Sequence, residues 1–224
     1  MMLELLNDID SQAYLLLNGM HTAYFDRFWM IFTGRFVWVP MYAALLWVVL
    51  RQFGVRRAVV IVACIVLAVV CADQFCGHLL RPAIGRLRPS HPDNPLSAMS
   101  VLVNGYRGGT YGFPSCHAAN SFALAMFCAL LLRSRRAAWF ILLWAVANSY
   151  SRLYLGVHYP GDLIAGTAFG LLFGALCYAL CAALLRERAL PQVRMHAFGK
   201  LLPPSDVLIL AGTATVLGIA IAAI

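Results

Sequence analysis

The sequence predicts an all-α fold: a polytopic membrane bundle of about six transmembrane helices with an N-terminal amphipathic helix. Three observations carry this expectation. Hydrophobic residues fill 62% of the 224 positions and charged residues only 12%, against about half and about a quarter in soluble domains. Mean hydropathy is +0.78. Apolar runs recur near the roughly 17–25 residues needed to cross a bilayer. The composition argues against a soluble globular enzyme and excludes a disordered chain. The length suits a single domain, 1–224.

From the N-terminus, Leu3 to Leu17 interleaves Glu4, Asp8 and Asp10 with Leu3, Leu5, Leu6, Ile9 and Tyr14. This suits an amphipathic helix on a membrane surface. It lacks the positive start of a cleavable signal. Expected spans run from about Arg35 to Leu50, from Ala58 to Leu80 with Asp73 inside, from His117 to Leu132 and from Ala137 to Ser151. A fifth, Leu163 to Leu185, holds 23 residues without a charge, and a sixth runs from Val207 to Ile224. Gly166, Gly170 and Gly174 form a small-xxx-small stripe, which serves helix packing within the bundle or, alternatively, a homodimer contact. The seven cysteines show no C-x-x-C and no Cys/His zinc spacing.

A net charge of +8 would suggest nucleic acid in a soluble protein. In so apolar a chain it reflects topology, because cytoplasmic loops collect Arg and Lys. Arg51, Arg56 and Arg57, then Arg133, Arg135 and Arg136, then Arg186, Arg188, Arg194 and Lys200 mark three inner connections. Arg81, Arg86, Arg88, Arg107 and Arg152 fall on the opposite side. Basic residues placed against the topology rule need another reason, and anion binding supplies one.

Three polar clusters lie at helix ends on that outer side: Arg81-Pro-Ala-Ile-Gly-Arg-Leu-Arg88-Pro89, Pro114-Ser115-Cys116-His117, and Ser151-Arg152 with His158-Tyr159-Pro160-Gly161-Asp162. Ser115 is placed to cap an apolar helix, leaving the N–H groups of Cys116 and His117 toward an anion. Pro160 suits a first helical turn, and Asp162 then lies four residues after His158. A carboxylate on one ring nitrogen leaves the other as a lone-pair donor, a nucleophile. Arg81, Arg88 and Arg152 supply planar donors for phosphoryl oxygens.

These clusters resemble the three motifs of the type 2 phosphatidic acid phosphatase superfamily, K-x6-R-P, P-S-G-H and S-R-x5-H-x3-D. Arg81 stands at the Lys position, Arg88-Pro89 at the Arg-Pro, and Cys116 where the motif has Gly. The resemblance implies a phosphatase that needs no metal or other cofactor. His158 is the implied nucleophile, oriented by Asp162, and His117 the acid. Arg81, Arg88, Ser115, Arg152 and the Cys116 N–H are the implied phosphate holders. One neutral and one protonated histidine predict a bell-shaped pH profile. The implied substrate is a membrane lipid phosphate or diphosphate at the periplasmic face of a bacterial inner membrane. Undecaprenyl diphosphate stands first, lipid A phosphate second, with phosphatidylglycerophosphate and phosphatidic acid after them. A headgroup-binding transporter is the alternative of another class.

Other polar residues read as follows. Asp73 is a structural contact steadying the Arg81 segment or a direct participant. Asn148 and Ser149 are interhelical hydrogen-bonding residues, and Arg86 and Arg107 are helpers of the phosphate clamp. Asn104 to Gly112 is a lid, a headgroup loop or a plain connector.

Overall fold

Capping chemistry places several helix starts. Thr22 Oγ1 accepts the Phe25 N–H, Ser115 Oγ that of Ala118, and Ser134 Oγ that of Ala137. In the computed structural model, which describes residues 2–186, 195–197, 200–202 and 204–224, the helices are α1 (Met2–Asn18), α2 (Ala23–Phe32), α3 (Val39–Gln74), α4 (Arg81–Ile84), α5 (Cys116–Leu132), α6 (Arg135–Tyr154), α7 (Pro160–Leu184) and α8 (Pro204–Ala222). One π-helical turn, Phe75–Leu80, joins α3 to α4. The short strands β1 (Met195–Ala197) and β2 (Lys200–Leu202) pair antiparallel, Met195 opposite Leu202. Among the expected inner-loop charges, Arg188 and Arg194 lie outside the described residues.

The first two expected spans are two helices that meet at a kink between Arg51 and Arg57. The kink is at Gly54, with φ 73 and ψ 161, a conformation that glycine adopts without a Cβ penalty. Phe36–Ile84 and Pro160–Leu184 are long and apolar enough to cross a membrane, while Cys116–Leu132 and Asp206–Ala222 are shorter apolar helices. Large apolar side chains face outward, among them Val55, Trp139, Ile164 and Ile221, as a lipid-facing surface requires.

α5 and α7 form the tightest helix pair. A Cβ built at Gly166, Gly170 or Gly174 would collide with the backbone oxygen of Ser115, Ala119 or Ala123 in turn. The glycine stripe is therefore consumed inside the chain, on α5. This close approach delivers the start of α7 to the start of α5, where the Ser115 N–H donates to the Asp162 carbonyl at 2.9 Å. α1 exposes Leu5, Leu6, Ile9 and Leu16 and buries Tyr14 and Asn18. Asn18 donates to the carbonyls of Tyr154 at 3.0 Å and Val101 at 3.1 Å and accepts the Val101 N–H at 2.8 Å. The amphipathic helix is thus bolted to the loop that carries His158.

Candidate active site

The residues expected to act together converge at one end of the bundle. Three loops or helix ends meet there: the Arg81–Arg88 segment after α3, the start of α5, and the α6–α7 connection. Ser115, Arg88, Arg152, His158 and Asp162 are all buried. Charges buried at this density need partners, and the structure provides them.

Asp162 is the third residue of α7 and accepts from three sides. Its Oδ2 takes the Tyr159 N–H at 3.1 Å and faces His158 Nδ1 at 3.0 Å. Its Oδ1 takes Arg86 Nη1 at 3.1 Å. On the far side of the ring, Arg88 Nη1 lies 2.9 Å from His158 Nε2 and donates to the Val157 carbonyl, also at 2.9 Å. Arginine only donates, so Nε2 accepts and Nδ1 carries the proton to Asp162. Burial, then the charges of Arg88, Arg152, Arg81 and Arg86, hold the His158 imidazole well below its ordinary value. The ring is neutral, with its lone pair on Nε2, facing a guanidinium.

The cations are positioned by neutral acceptors. Arg81 Nε donates to the Pro114 carbonyl at 3.0 Å. Arg152 donates to Thr33 Oγ1 at 2.8 Å and to the Tyr106 hydroxyl at 2.9 Å. Although burial opposes it, the Arg152 charge and hydrogen bond bring the Tyr106 phenol below its ordinary value. Burial, with Arg81 and Arg152 nearby, pulls the Arg88 guanidinium down to about 10, so it remains a cation at neutral pH. The Nε atoms of Arg88 and Arg152 are buried without a hydrogen-bond partner. A cluster of like charges with spare donors is built for a multivalent anion.

His117 stands on the first turn of α5, within electrostatic range of Arg152, His158, Arg88 and Arg81. Of the two histidines, only His117 lines the cavity that runs into the bundle, about 810 Å³ in volume. Apolar residues of both halves of α3 form much of its wall, from Leu45 and Val49 to Val66 and Val69; Asp73, Asn120, Ser121 and Asn148 add a polar face. The Cys116 Sγ sits 3.8 Å from the Asp73 carbonyl and against Gly77, while its backbone N–H is at the open start of α5.

Several expectations change in detail. Asp73 does not steady the Arg81 segment through its carboxylate; Oδ1 accepts Asn120 Nδ2 at 2.8 Å, tying α3 to α5. Asn148 does bridge helices, donating to Ser121 Oγ at 2.5 Å, whereas Ser149 bonds within α6, to the Ala145 carbonyl. Arg86 is engaged by carboxylates, Asp162 and Asp10. Arg107 binds the Ser90 carbonyl and Ser97 Oγ. The 104–112 segment is a strap: Arg88 N–H donates to the Thr110 carbonyl at 3.1 Å and Gly112 N–H to the Arg86 carbonyl at 2.9 Å. A Cβ at Gly112 would come within 2.9 Å of Asp162 Oδ2, so the strap closes directly over the dyad. The site contacts of Asp10, Thr33, Tyr106 and Asn120 carry no signal in the sequence. No spacing rule links residues so far apart in the chain.

Such a site can hold a tetrahedral anion among guanidinium groups with a histidine lone pair beside it. Such an arrangement suits the chemistry of phosphoryl transfer, and the comparisons narrow the class. Residues 62–186 match the PAP2 superfamily. A lipid A 4'-phosphatase of Bacteroides thetaiotaomicron is 53% identical over 169 residues, covering 75% of each chain. A second, from Porphyromonas gingivalis, is 34% identical over 172 residues, 76% of this chain and 72% of its own. An undecaprenyl-diphosphatase of Sulfolobus acidocaldarius is 32% identical over 147 residues, 63% of this chain and 64% of its own. No solved structure matches the chain. The chain belongs to the PAP2 superfamily and is a phosphatase.

Proposed function

We propose that this protein is a membrane lipid phosphatase that removes the 4'-phosphate of lipid A through a phosphohistidine. The observation that carries the chemistry is the His158 ring held between Asp162 and Arg88, which fixes its lone pair on Nε2. His158 Nε2 attacks phosphorus, displacing Arg88 Nη1 onto a phosphoryl oxygen. The P–N bond forms as the P–O ester bond breaks, and the leaving oxygen takes its electron pair and a proton from His117. Water then attacks phosphorus while His117 accepts its proton, the P–N bond breaks, and inorganic phosphate leaves. Arg81, Arg88, Arg152, Ser115 and the Cys116 N–H hold the phosphoryl oxygens, where charge builds in the transition state. Every role in this scheme is filled by a protein side chain or backbone group, so the reaction is proposed to run without metal.

Lipid A replaces undecaprenyl diphosphate at the head of the substrate order. The motifs define phosphoryl transfer, which all these lipids share, and so could not rank them. The names of the Bacteroides and Porphyromonas relatives favour lipid A. So does the cavity beside His117, where the leaving group departs: its wall carries Asp73, Asn120, Ser121 and Asn148. A polyprenyl chain has no use for these groups, but a sugar with hydroxyl and amide groups does. The six spans are proposed as the two halves of α3 on either side of Gly54, then α5, α6, α7 and α8. The site then faces the periplasm from the inner membrane.

The test is phosphate release by the purified full chain in the presence of EDTA. Substrates are lipid A, undecaprenyl diphosphate, phosphatidylglycerophosphate and phosphatidic acid. Lipid A turnover that leaves the 1-phosphate in place, and is lost in His158→Ala, is expected. Turnover of undecaprenyl diphosphate alone would overturn the substrate; activity surviving in His158→Ala would overturn the mechanism.

A further inference from the structure

The N-terminal helix reaches the dyad from outside the family match, which begins at residue 62. Asp10 lies on the inner side of α1. Its Oδ1 accepts the Gly161 N–H at 2.7 Å, and its Oδ2 pairs with Arg86 Nη1 at 2.8 Å. The same Nη1 bonds Asp162 Oδ1 at 3.1 Å, and the guanidinium stacks 3.9 Å above the Tyr159 ring. The chain of contacts is thus Asp10, Arg86, Asp162, His158. Its side chains are 14%, 21%, 0% and 1% exposed, so water does little to weaken it.

Two features show that this contact is built in. α1 is anchored by Tyr14, one turn beyond Asp10, whose buried ring packs 5.4 Å from that of Tyr159, and by the Asn18 hydrogen bonds. Gly161 leaves room for the carboxylate: a Cβ there would sit 2.7 Å from Asp10 Oδ2. The glycine between His158 and Asp162 is therefore matched to a side chain 151 positions earlier in the sequence.

We propose that Asp10 is a positioning residue for phosphoryl transfer, holding Arg86 and the first turn of α7 so that Asp162 keeps His158 aligned. This rests on His158 being the nucleophile. Arg86 is shared between two carboxylates. Without Asp10, its whole charge bears on Asp162 and competes with the His158 Nδ1–H for that carboxylate. The groups facing His158 are the cations Arg88, Arg152, Arg81 and Arg86, together with His117 and Asp162; Asp10 adds a second negative charge to this set.

The experiment compares Asp10→Asn and Gly161→Ala with the unaltered full chain on lipid A. Both are expected to lower kcat at least tenfold, the order of loss that misplacing a catalytic group by a fraction of an ångström produces, with KM within about twofold. In Asp10→Asn the acid limb of kcat/KM moves to lower pH, because His158 loses a nearby negative charge. Gly161→Ala adds only a methyl group in the first turn of a helix, a setting in which alanine is otherwise well tolerated. It therefore decides the matter should Asp10→Asn fail to fold. An unchanged kcat overturns the proposal, as does a loss of kcat in Asp10→Asn with an unmoved acid limb, which marks a purely structural contact. His158→Ala is measured alongside. If it remains active, the nucleophile assignment fails and the positioning role falls with it, whereas an inactive His158→Ala with fully active Asp10 and Gly161 variants rejects the positioning role alone.

Discussion

Arg88 Nη1 approaches His158 Nε2 to 2.9 Å while Asp162 Oδ2 holds Nδ1 at 3.0 Å. The guanidinium cannot accept a hydrogen bond, so this contact assigns the tautomer. It also places the cation on the nitrogen of the proposed nucleophile, so in the proposed mechanism the first event in turnover is the exchange of this contact for an Arg88–phosphate one.

Asp162→Asn keeps the shape but changes what the ring sees. An amide NH2 can donate to Nδ1, which moves the imidazole proton to Nε2 and removes the attacking lone pair. The expected loss in kcat is about 10⁴-fold, comparable to other enzymes whose histidine tautomer is set by a carboxylate. Steady-state phosphate release, with a melting curve to show that the variant folds, checks this. A loss below tenfold contradicts the assignment.

The pH dependence follows from the sign of the His158 shift. Its folded pKa lies well below 6.5, so the neutral nucleophile persists as pH falls through 6.5. The acid limb of kcat/KM is expected below that value. The unfolded chain binds a proton there that the folded one refuses, so stability also falls as pH drops below 6.5. A kcat/KM profile from mildly acidic to alkaline pH, with unfolding measured in parallel, tests both. An acid limb above 6.5 is the contrary result.

Cys116→Gly supplies the residue of the PAP2 motif. The backbone N–H proposed to face phosphate remains, so activity is expected within about threefold, as for a change that spares the transition-state contacts. Stability is expected to fall by about 1–2 kcal/mol, from the lost buried side chain and the freer backbone. Gly77→Ala, whose Cβ would stand 3.1 Å from Cys116 Sγ, is expected to be less stable with Cys116 in place than when combined with Cys116→Gly. A double-mutant cycle on melting temperature reads this coupling, and additivity would refute the contact.

Gly170→Ala forces a methyl group onto the Ala119 carbonyl oxygen and should separate α5 from α7. A cost of about 3 kcal/mol, at the upper end for overpacking, is expected, with loss of activity as the two active-site helix starts move apart. Gly218→Ala on α8, with nothing within 4 Å of its Cβ, is the control and should match or slightly exceed the parent in thermal stability. Equal behaviour of the two variants would mean that the stripe does not set the helix spacing.

Legibility in the sequence tracked the range of the interactions. His158 and Asp162 are four residues apart, and Ser115 caps the helix that carries His117, so local spacing disclosed their relation. Arg81, Arg88 and Arg152 were legible because unneutralised arginine is costly near a bilayer and needs a reason. Arg86 was read as a phosphate helper because the sequence shows its charge but not its carboxylate partners. Asp73 lies about two helical turns before Arg81 in the chain, whereas helix packing brings its carboxylate to Asn120.

By itself the sequence determined an apolar helical chain and the motifs of its candidate site, because hydropathy sets membrane-spanning length and short motifs set which groups share a helix end. Only the tertiary structure decided that the glycine stripe packs α7 onto α5 and that Asp10 of the N-terminal helix reaches Arg86 and Gly161. Both depend on distances between segments far apart in the chain, fixed by close packing and by the pairing of buried charges, so a local pattern can mark the small residues without naming the surface they pack on.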